Sequence, residues 1–141
     1  MELPADRDLE FFTELGRGLF PDYVGLAFTE VGDGTARAEL TLRPEHMAPN
    51  GYLHAGVIVT VADTTAGYGC IANLPEHAIG FTTIDLSASF LRTAREGVLR
   101  CEARAAHLGR TTQLWDATVT CDGDERPLAL FRCAQLVLYD R

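Results

Sequence analysis

Between residues 46 and 72 (HMAPNGYLHAGVIVTVADTTAGYGCIA) the chain carries one formal charge, Asp63. Burying a lone charge is costly unless it is paired, protonated or functional. Aspartate is also a poor residue in the middle of a helix, and this stretch holds no arginine to pair with it. A functional carboxylate is therefore preferred over a structural one that caps a neighbouring turn. The same stretch supplies backbone donors. Pro49-Asn50-Gly51 is a turn signal, and a helix is expected to begin at His54-Ala55-Gly56. The first N–H groups of a helix have no internal partner, and with the helix dipole they suit an anion or a developing oxyanion. The donors near Ala55 and Gly56 and the carboxylate of Asp63 cannot serve one small reacting group from a single helix. His54 and Asp63 are nine residues apart, about 13 Å at ~1.5 Å per residue. Either they serve different purposes, or a site combines the helix start of one chain with Asp63 of another. The second reading is preferred, and it requires a homodimer.

The elements that must position these groups follow from periodicity. From Ala55 to Ala72 there is no Pro, Lys, Arg or Glu. The run is too long for a strand, and too short and too rich in Gly and Thr for a membrane span. It reads as a buried central helix over 54–72. Ahead of it, DRDLEFFTELGRGL has an apolar stripe at helical spacing, giving an N-terminal helix within 1–22 that Pro21 ends. VGLAFTEV and Thr35–Leu42 form a hairpin across Gly32-Asp33-Gly34. After the central helix, Ile79–Leu91, Val98–His107, Thr112–Cys121 and Arg126–Tyr139 read as strands joined by short turns, hence an antiparallel meander. In the first of these Thr82, Ile84, Leu86, Ala88 and Phe90 are expected on one face and Thr83, Asp85, Ser87 and Ser89 on the other. The last strand is apolar on both faces and is expected inside the sheet or at an interface. The fold class is α+β, a single domain over 1–141 with five to six antiparallel strands curled around one long helix. One helix cannot cover such a sheet, so apolar surface is left for a partner chain.

Composition removes several functions. The net charge is −8, which argues against nucleic acid and against an anionic membrane surface. All 12 basic residues are arginine, so lysine chemistry is excluded. Arg92, Arg95, Arg100, Arg104 and Arg110 fall close together and either meet a phosphorylated ligand or face solvent as strand residues. Cys70, Cys101, Cys121 and Cys133 form no CxxC pair and look like small core residues of a reducing compartment. His46 and His77 have no second ligand at metal-binding spacing. The N-terminal residues lack the pattern of a secretion signal, and the expected location is cytoplasmic.

The pattern resembles the hotdog fold and, within it, acyl-CoA thioesterases of the phenylacetate-pathway (PaaI-like) type. The resemblance is carried by Asn50-Gly51-Tyr52-Leu53-His54-Ala55-Gly56 with Ala62-Asp63-Thr64, by Thr83-Ile84-Asp85-Leu86, by Phe90-Leu91-Arg92-Thr93-Ala94-Arg95-Glu96-Gly97, and by His107-Leu108-Gly109-Arg110. It runs from about residue 24 to the C-terminus. It implies that the Ala55 N–H receives the thioester carbonyl oxygen. The partner chain's Asp63 attacks the carbonyl or activates a water. Thr83 stands where some relatives hold that water with a hydroxyl, and His54 braces the helix start. Two departures stand out: the family's usual H-G-G is His54-Ala55-Gly56 here, and its upstream Asn or Gln is replaced by Ala48, with Asn50 two residues later. The expected products are a free acid and coenzyme A. No separate cofactor is expected, because coenzyme A belongs to the substrate. Its phosphates are expected within reach of Arg92, Arg95 or Arg110, and Tyr52, Leu53, Tyr68 and Phe81 are candidates for the acyl pocket. The expected assembly is a homodimer, or a homotetramer as a dimer of dimers. A non-catalytic acyl-CoA-binding hotdog protein and a hotdog dehydratase or hydratase are the alternatives. The first gives no reason to bury Asp63, and the second needs a His–carboxylate motif not found in the chain.

Overall fold

The computed structural model describes residues 3–141; what the N-terminal expectations say of Met1 and Glu2 lies outside the described residues. The chain begins with two short helices where one was expected over 1–22. The first, α1 (Leu9–Leu15), starts at Asp8, whose carboxylate accepts from the Phe11 N–H at 2.9 Å, and stops at Gly16. Pro21 does not end it. Proline is tolerated in a first helical turn, where its missing N–H costs nothing, and Pro21 sits in that position of α2 (Phe20–Val24). Gly25 closes α2 at φ 95°, a backbone conformation that favours glycine.

Six strands follow: β1 (Leu26–Gly32), β2 (Thr35–Thr41), β3 (Ala78–Phe90), β4 (Val98–Leu108), β5 (Thr112–Cys121) and β6 (Asp124–Tyr139), with the long helix α3 (Ala55–Ala72) between β2 and β3. They make one antiparallel sheet in the order β1-β2-β4-β5-β6-β3. This corrects the simple meander. β4 pairs with β2 and β5, so β3 has only β6 as a neighbour and becomes an edge. The short segment from Leu91 to Gly97 is a crossing connection, not a hairpin turn. The Leu91 and Arg92 N–H groups both donate to the Leu128 carbonyl (2.8 and 3.2 Å), and Leu42 N–H reaches the Gly97 carbonyl at 2.9 Å.

The core lies between α3 and the inner face of the sheet. Ile58, Val61, Ala62, Ala66 and Cys70 of α3 meet Leu40, Leu99, Trp115, Val119 and Phe131. The helix approaches closely because Gly69 leaves room for Trp115; a Cβ there would lie 2.7 Å from the indole ring. α3 is long and apolar enough to cross a membrane by length and composition, but 56% of it is buried within the fold. Its polarity pattern is that of a core helix. The opposite face of the sheet is a lattice of ion pairs, among them Arg37–Glu102 (2.6 Å), Arg100–Glu39 (3.3 Å) and Arg132–Asp116 (2.6 Å). Arg100 and Arg104 are spent in that lattice. Cys70, Cys101 and Cys133 are buried free thiols, each pushed up to about 12 by burial.

Candidate active site

The start of α3 is built by the loop before it. His46 is buried, with both ring nitrogens engaged: Nδ1 accepts from Arg43 N–H (3.1 Å), so Nε2–H donates to the Val24 carbonyl (2.9 Å). The His46 carbonyl accepts from His54 N–H at 3.0 Å. Gly51 turns the chain at φ 85°, and Leu53 N–H is held by the Thr93 hydroxyl at 2.9 Å. His54 then caps α3, its Nδ1 accepting from the Gly56 N–H at 2.8 Å. A Cβ on Gly56 would lie 2.9 Å from that nitrogen, so glycine is what lets the ring sit there.

This cap changes the inventory of donors. Both Ala55 and Gly56 are exposed at the helix start, but the Gly56 N–H is occupied by His54. The Ala55 N–H has no acceptor among the described residues. A single backbone donor is thus left at the positive end of the α3 dipole. It opens beside a cavity of about 370 Å³ lined by Tyr52, Leu53, Ala55, Ile58, Phe90, Leu91, Arg92 and Thr93. A second cavity, about 510 Å³, lies against the same helix start and is lined by Phe20, Tyr23, Arg43, His54, Gly56 and Thr60, among others.

Asp63 lies on the same helix, in its middle, half-buried. Its Oδ1 is buried and has no hydrogen-bond partner, and burial alone pushes the carboxyl above the ordinary carboxylate range. Its charge bears on the Cys133 thiol of β6. α3 lies along β3 from Ala55 and Ile58 beside Phe90 to Gly67 beside Phe81, so Asp63, one turn before Gly67, faces the inner surface where β6 meets β3; it is eight residues along the helix from Ala55, about 12 Å at ~1.5 Å per residue.

Thr83 is where sequence reading needs correcting. The alternation of β3 breaks at a β-bulge between Thr83 and Asp85. Beyond it, Phe90, Ala88 and Leu86 stand opposite the buried Ala129, Phe131 and Cys133; before it, Thr83 stands opposite the buried Gln135. Thr83 thus shares the inner face with Leu86, Ala88 and Phe90, and Thr82 is turned outward. The same register brings Gln135 to the site. Its amide nitrogen contacts Cys133 Sγ at 3.4 Å and its Oε1 is buried without a partner. Sequence reading passed over Gln135; the available signal was a lone amide in FRCAQLVLY, a strand apolar on both faces.

The other candidates separate. Asn50 is exposed, and its Oδ1 accepts from Tyr52 N–H at 3.1 Å, the work of a turn residue. Arg95 Nε donates to the Gly51 carbonyl at 2.9 Å, with its guanidinium 6.0 Å from the Tyr52 ring centroid. Arg92 lines the smaller cavity, but Arg110 is at the other end of the sheet. The Arg110 carbonyl accepts from Tyr139, and Tyr139 pairs with Ala78 at the start of β3. One chain does not bring the three arginines together. Tyr68 lies away from both cavities at the start of α3, stacked on Phe28 with ring centroids 4.3 Å apart, and Phe81 packs near Gly67.

β3 is an unpaired edge with apolar side chains in solvent. Leu86 is 41% and Phe90 45% exposed on the inner face, and Ile84 at the bulge is 56% exposed.

The thioesterase superfamily profile matches residues 50–128. An esterase-named protein of Mycobacterium tuberculosis is 34% identical over 107 residues, covering 74% of this chain and 76% of the relative. The 1,4-dihydroxy-2-naphthoyl-CoA hydrolase of Listeria monocytogenes is 31% identical over 110 residues, covering 78% and 88%. Among solved structures, a mutant of thioesterase PA1618 from Pseudomonas aeruginosa superposes with a TM-score of 0.87 at 27% identity, covering 98% of this chain and 99% of that one. The sheet curled around a single long helix is the hotdog fold of these thioesterases, and the chain belongs to the thioesterase superfamily as a thioester hydrolase.

Proposed function

We propose that the protein hydrolyses acyl- or aryl-coenzyme A thioesters at sites shared between two chains, each using the Ala55 N–H of one protomer and the partner's Asp63. The observation that carries this reading is the buried, unpartnered, proton-loving carboxylate of Asp63. It shares a helix with the one unoccupied donor at the helix start, yet stands too far from it to act on the same atom. The exposed β3 edge supports the pairing, since an edge this long with exposed apolar side chains is a template for another strand. Twofold antiparallel pairing of β3 would put the Arg92 end of one chain beside the partner's Arg110, so that cationic side chains from both chains flank one CoA.

In this reading the thioester carbonyl accepts from Ala55 N–H, and the negative charge that develops on its oxygen is stabilised there. Asp63 either takes a proton from water as the water oxygen bonds to the carbonyl carbon, or attacks that carbon itself. The C–S bond breaks, the thiolate of coenzyme A leaves and is protonated, and the acid is released. A carboxylate raised by burial is a stronger base than a free one, which favours the water route. In this reading Thr83, on the same inner face, holds that water, and His54 fixes the helix start without exchanging protons. No cofactor is needed beyond the coenzyme A of the substrate. The larger cavity, with Phe20 and Tyr23 in its wall, would suit an aromatic acyl group, as the naphthoyl-CoA hydrolase relative suggests.

The test is thiol release from a panel of short, long and aryl acyl-CoAs, with Asp63→Asn alongside. Turnover by wild type that collapses in a folded Asp63→Asn oligomer supports the reading and names the acyl class. Saturable acyl-CoA binding without turnover would make the protein a binding module.

A further inference from the structure

Two buried side-chain polar atoms lack a partner among the described residues: Asp63 Oδ1 and Gln135 Oε1. Both are acceptors on one part of the inner face: α3 lies along β3 from Ala55 and Ile58 beside Phe90 to Gly67 beside Phe81, so Asp63, one turn before Gly67, comes level with Thr83, which stands opposite Gln135. Gln135 Nε2 is 3.4 Å from Cys133 Sγ, and the charge of Asp63 acts on that sulfur. Gln113, opposite Gln135 on β5, shows what a satisfied amide looks like in this core: its nitrogen donates to the Asn73 carbonyl (2.8 Å) and its oxygen accepts from the Trp115 indole (2.8 Å). Gln135 is equally buried and spends its nitrogen on a weak sulfur acceptor.

A half-turn of the Gln135 amide would offer each orphan a partner. Its oxygen and nitrogen have nearly the same size, so the rotation leaves the packing unchanged. We propose that Gln135 is the positioning residue of Asp63: its amide N–H donates to Asp63 Oδ1 while its carbonyl accepts from the Cys133 thiol. The thiol is neutral at working pH and has its proton to give. A charge-assisted N–H···O bond replaces a weak N–H···S contact. With Oδ1 held, the other carboxylate oxygen is the one presented to water or substrate. When Asp63 takes a proton, the reverse half-turn lets the carboxyl O–H donate to Gln135 Oε1, so the amide follows the proton.

The inference rests on the reading of Asp63 as the working carboxylate. No other charge competes. Burial is the one cause that raises Asp63; the titratable group its charge bears on is the Cys133 thiol of β6, which in turn bears on Cys70 of α3. Asp85 and Asp116 lie on the outer face, opposite Ala134 and Arg132.

The test compares kcat against pH for wild type, Asp63→Asn and Gln135→Met, with thermal unfolding of each. Removing a donor to a carboxylate favours its protonated form, so in Gln135→Met the acid limb should move up by about one unit or more, on the order of a tenfold loss on that limb. The alkaline plateau should change less. An unmoved limb in a folded Gln135→Met overturns the proposal, whereas inactive wild type, or active Asp63→Asn, overturns the proposed function instead. A second measurement needs neither turnover nor a variant. In labelled wild type the Gln135 side-chain amide resonances should titrate with the midpoint of the Asp63 carboxyl carbon, and an amide that stays put through that titration refutes the coupling.

Discussion

Gly56→Ala should be the most informative small change in the chain. The added Cβ would stand 2.9 Å from His54 Nδ1 and 3.0 Å from its Cε1. Neither ring atom can yield without giving up the 2.8 Å bond from Gly56 N–H. The ring must swing out, and α3 loses its cap at a cost of about 0.5–2 kcal/mol. At this chain length that is a fall of roughly 2–6 °C in Tm. The larger effect is on chemistry. With the ring gone, the first turn of α3 is free to shift, and Ala55 N–H shifts with it. Misplacing a reacting group by about 1 Å costs on the order of 10²-fold in rate, and losing an oxyanion donor outright costs about 10²–10³-fold. Steady-state thiol release should show kcat down by roughly 10²-fold with KM little altered, the signature of an interaction made in the transition state. Ala55→Gly is the control: it removes a methyl, leaves the cap intact and should keep turnover within about threefold. If Gly56→Ala lowers Tm as expected and yet holds kcat within about threefold of wild type, the Ala55 N–H is not the oxyanion donor.

Other consequences can be checked independently. Asn73 ties the β1–β2 turn to the end of α3, accepting from Gly34 N–H (2.9 Å) and donating to the Gly32 and Gly69 carbonyls (2.9 and 2.8 Å); Asn73→Ala should cost about 2–3 kcal/mol in denaturant unfolding at about 1 kcal/mol per bond. Gly69→Ala drives a methyl to 2.7 Å from the Trp115 ring, and overpacking of that kind costs about 1–3 kcal/mol. Leu86→Asp on the β3 edge should shift size-exclusion elution toward monomer and abolish turnover together; a monomer with full activity would refute the shared site. Asp63 carries a stability signature as well. Its carboxyl is raised in the folded protein, so the folded state binds more protons than the unfolded chain as pH falls, and stability drops as pH rises through that raised value. Asp63→Asn should therefore melt higher than wild type at neutral pH, with the gap closing at pH values below the normal aspartate range.

The central helix was legible because an uncharged apolar run with one carboxylate admits few readings, and its limits, Ala55 to Ala72, fall where the run begins and ends. The strands were legible from alternation. What alternation could not reveal was the bulge at Ile84. The sequence continues polar–apolar through it, but the extra residue turns Thr83 inward, and only the register against β6 shows this. The edge position of β3 was hidden for a related reason: a seven-residue connection from Leu91 to Gly97 suits a hairpin as well as a crossing, and the choice is made by β2 claiming one side of β4. At the helix start, sequence reading counted the Ala55 and Gly56 N–H groups alike as free donors, because whether His54 occupies the Gly56 N–H depends on a side-chain rotamer. Pro21 misled because a proline that stops one helix can equally open another.

The places where this chain is unfinished are not scattered. Elsewhere, buried and half-buried polar groups are answered within the chain: His46 at both ring nitrogens, Gln113 at both ends of its amide, and the half-buried Asn73 three times over. Among the described residues the buried side-chain atoms left unanswered are Asp63 Oδ1 and Gln135 Oε1, and the exposed Ala55 N–H at the helix start also has no acceptor. The two acceptors lie against β6, the strand that pairs with β3, the Ala55 N–H lies at the cavity lined by Phe90, and β3 is open along its other edge and exposes Leu86. A fold that was merely imperfect would spread such defects over its surface, since each costs about the same wherever it falls, roughly 1–3 kcal/mol for a buried acceptor. Their gathering along one edge is what the proposed shared site requires, since a second copy and a substrate would meet there the groups that one protomer leaves open.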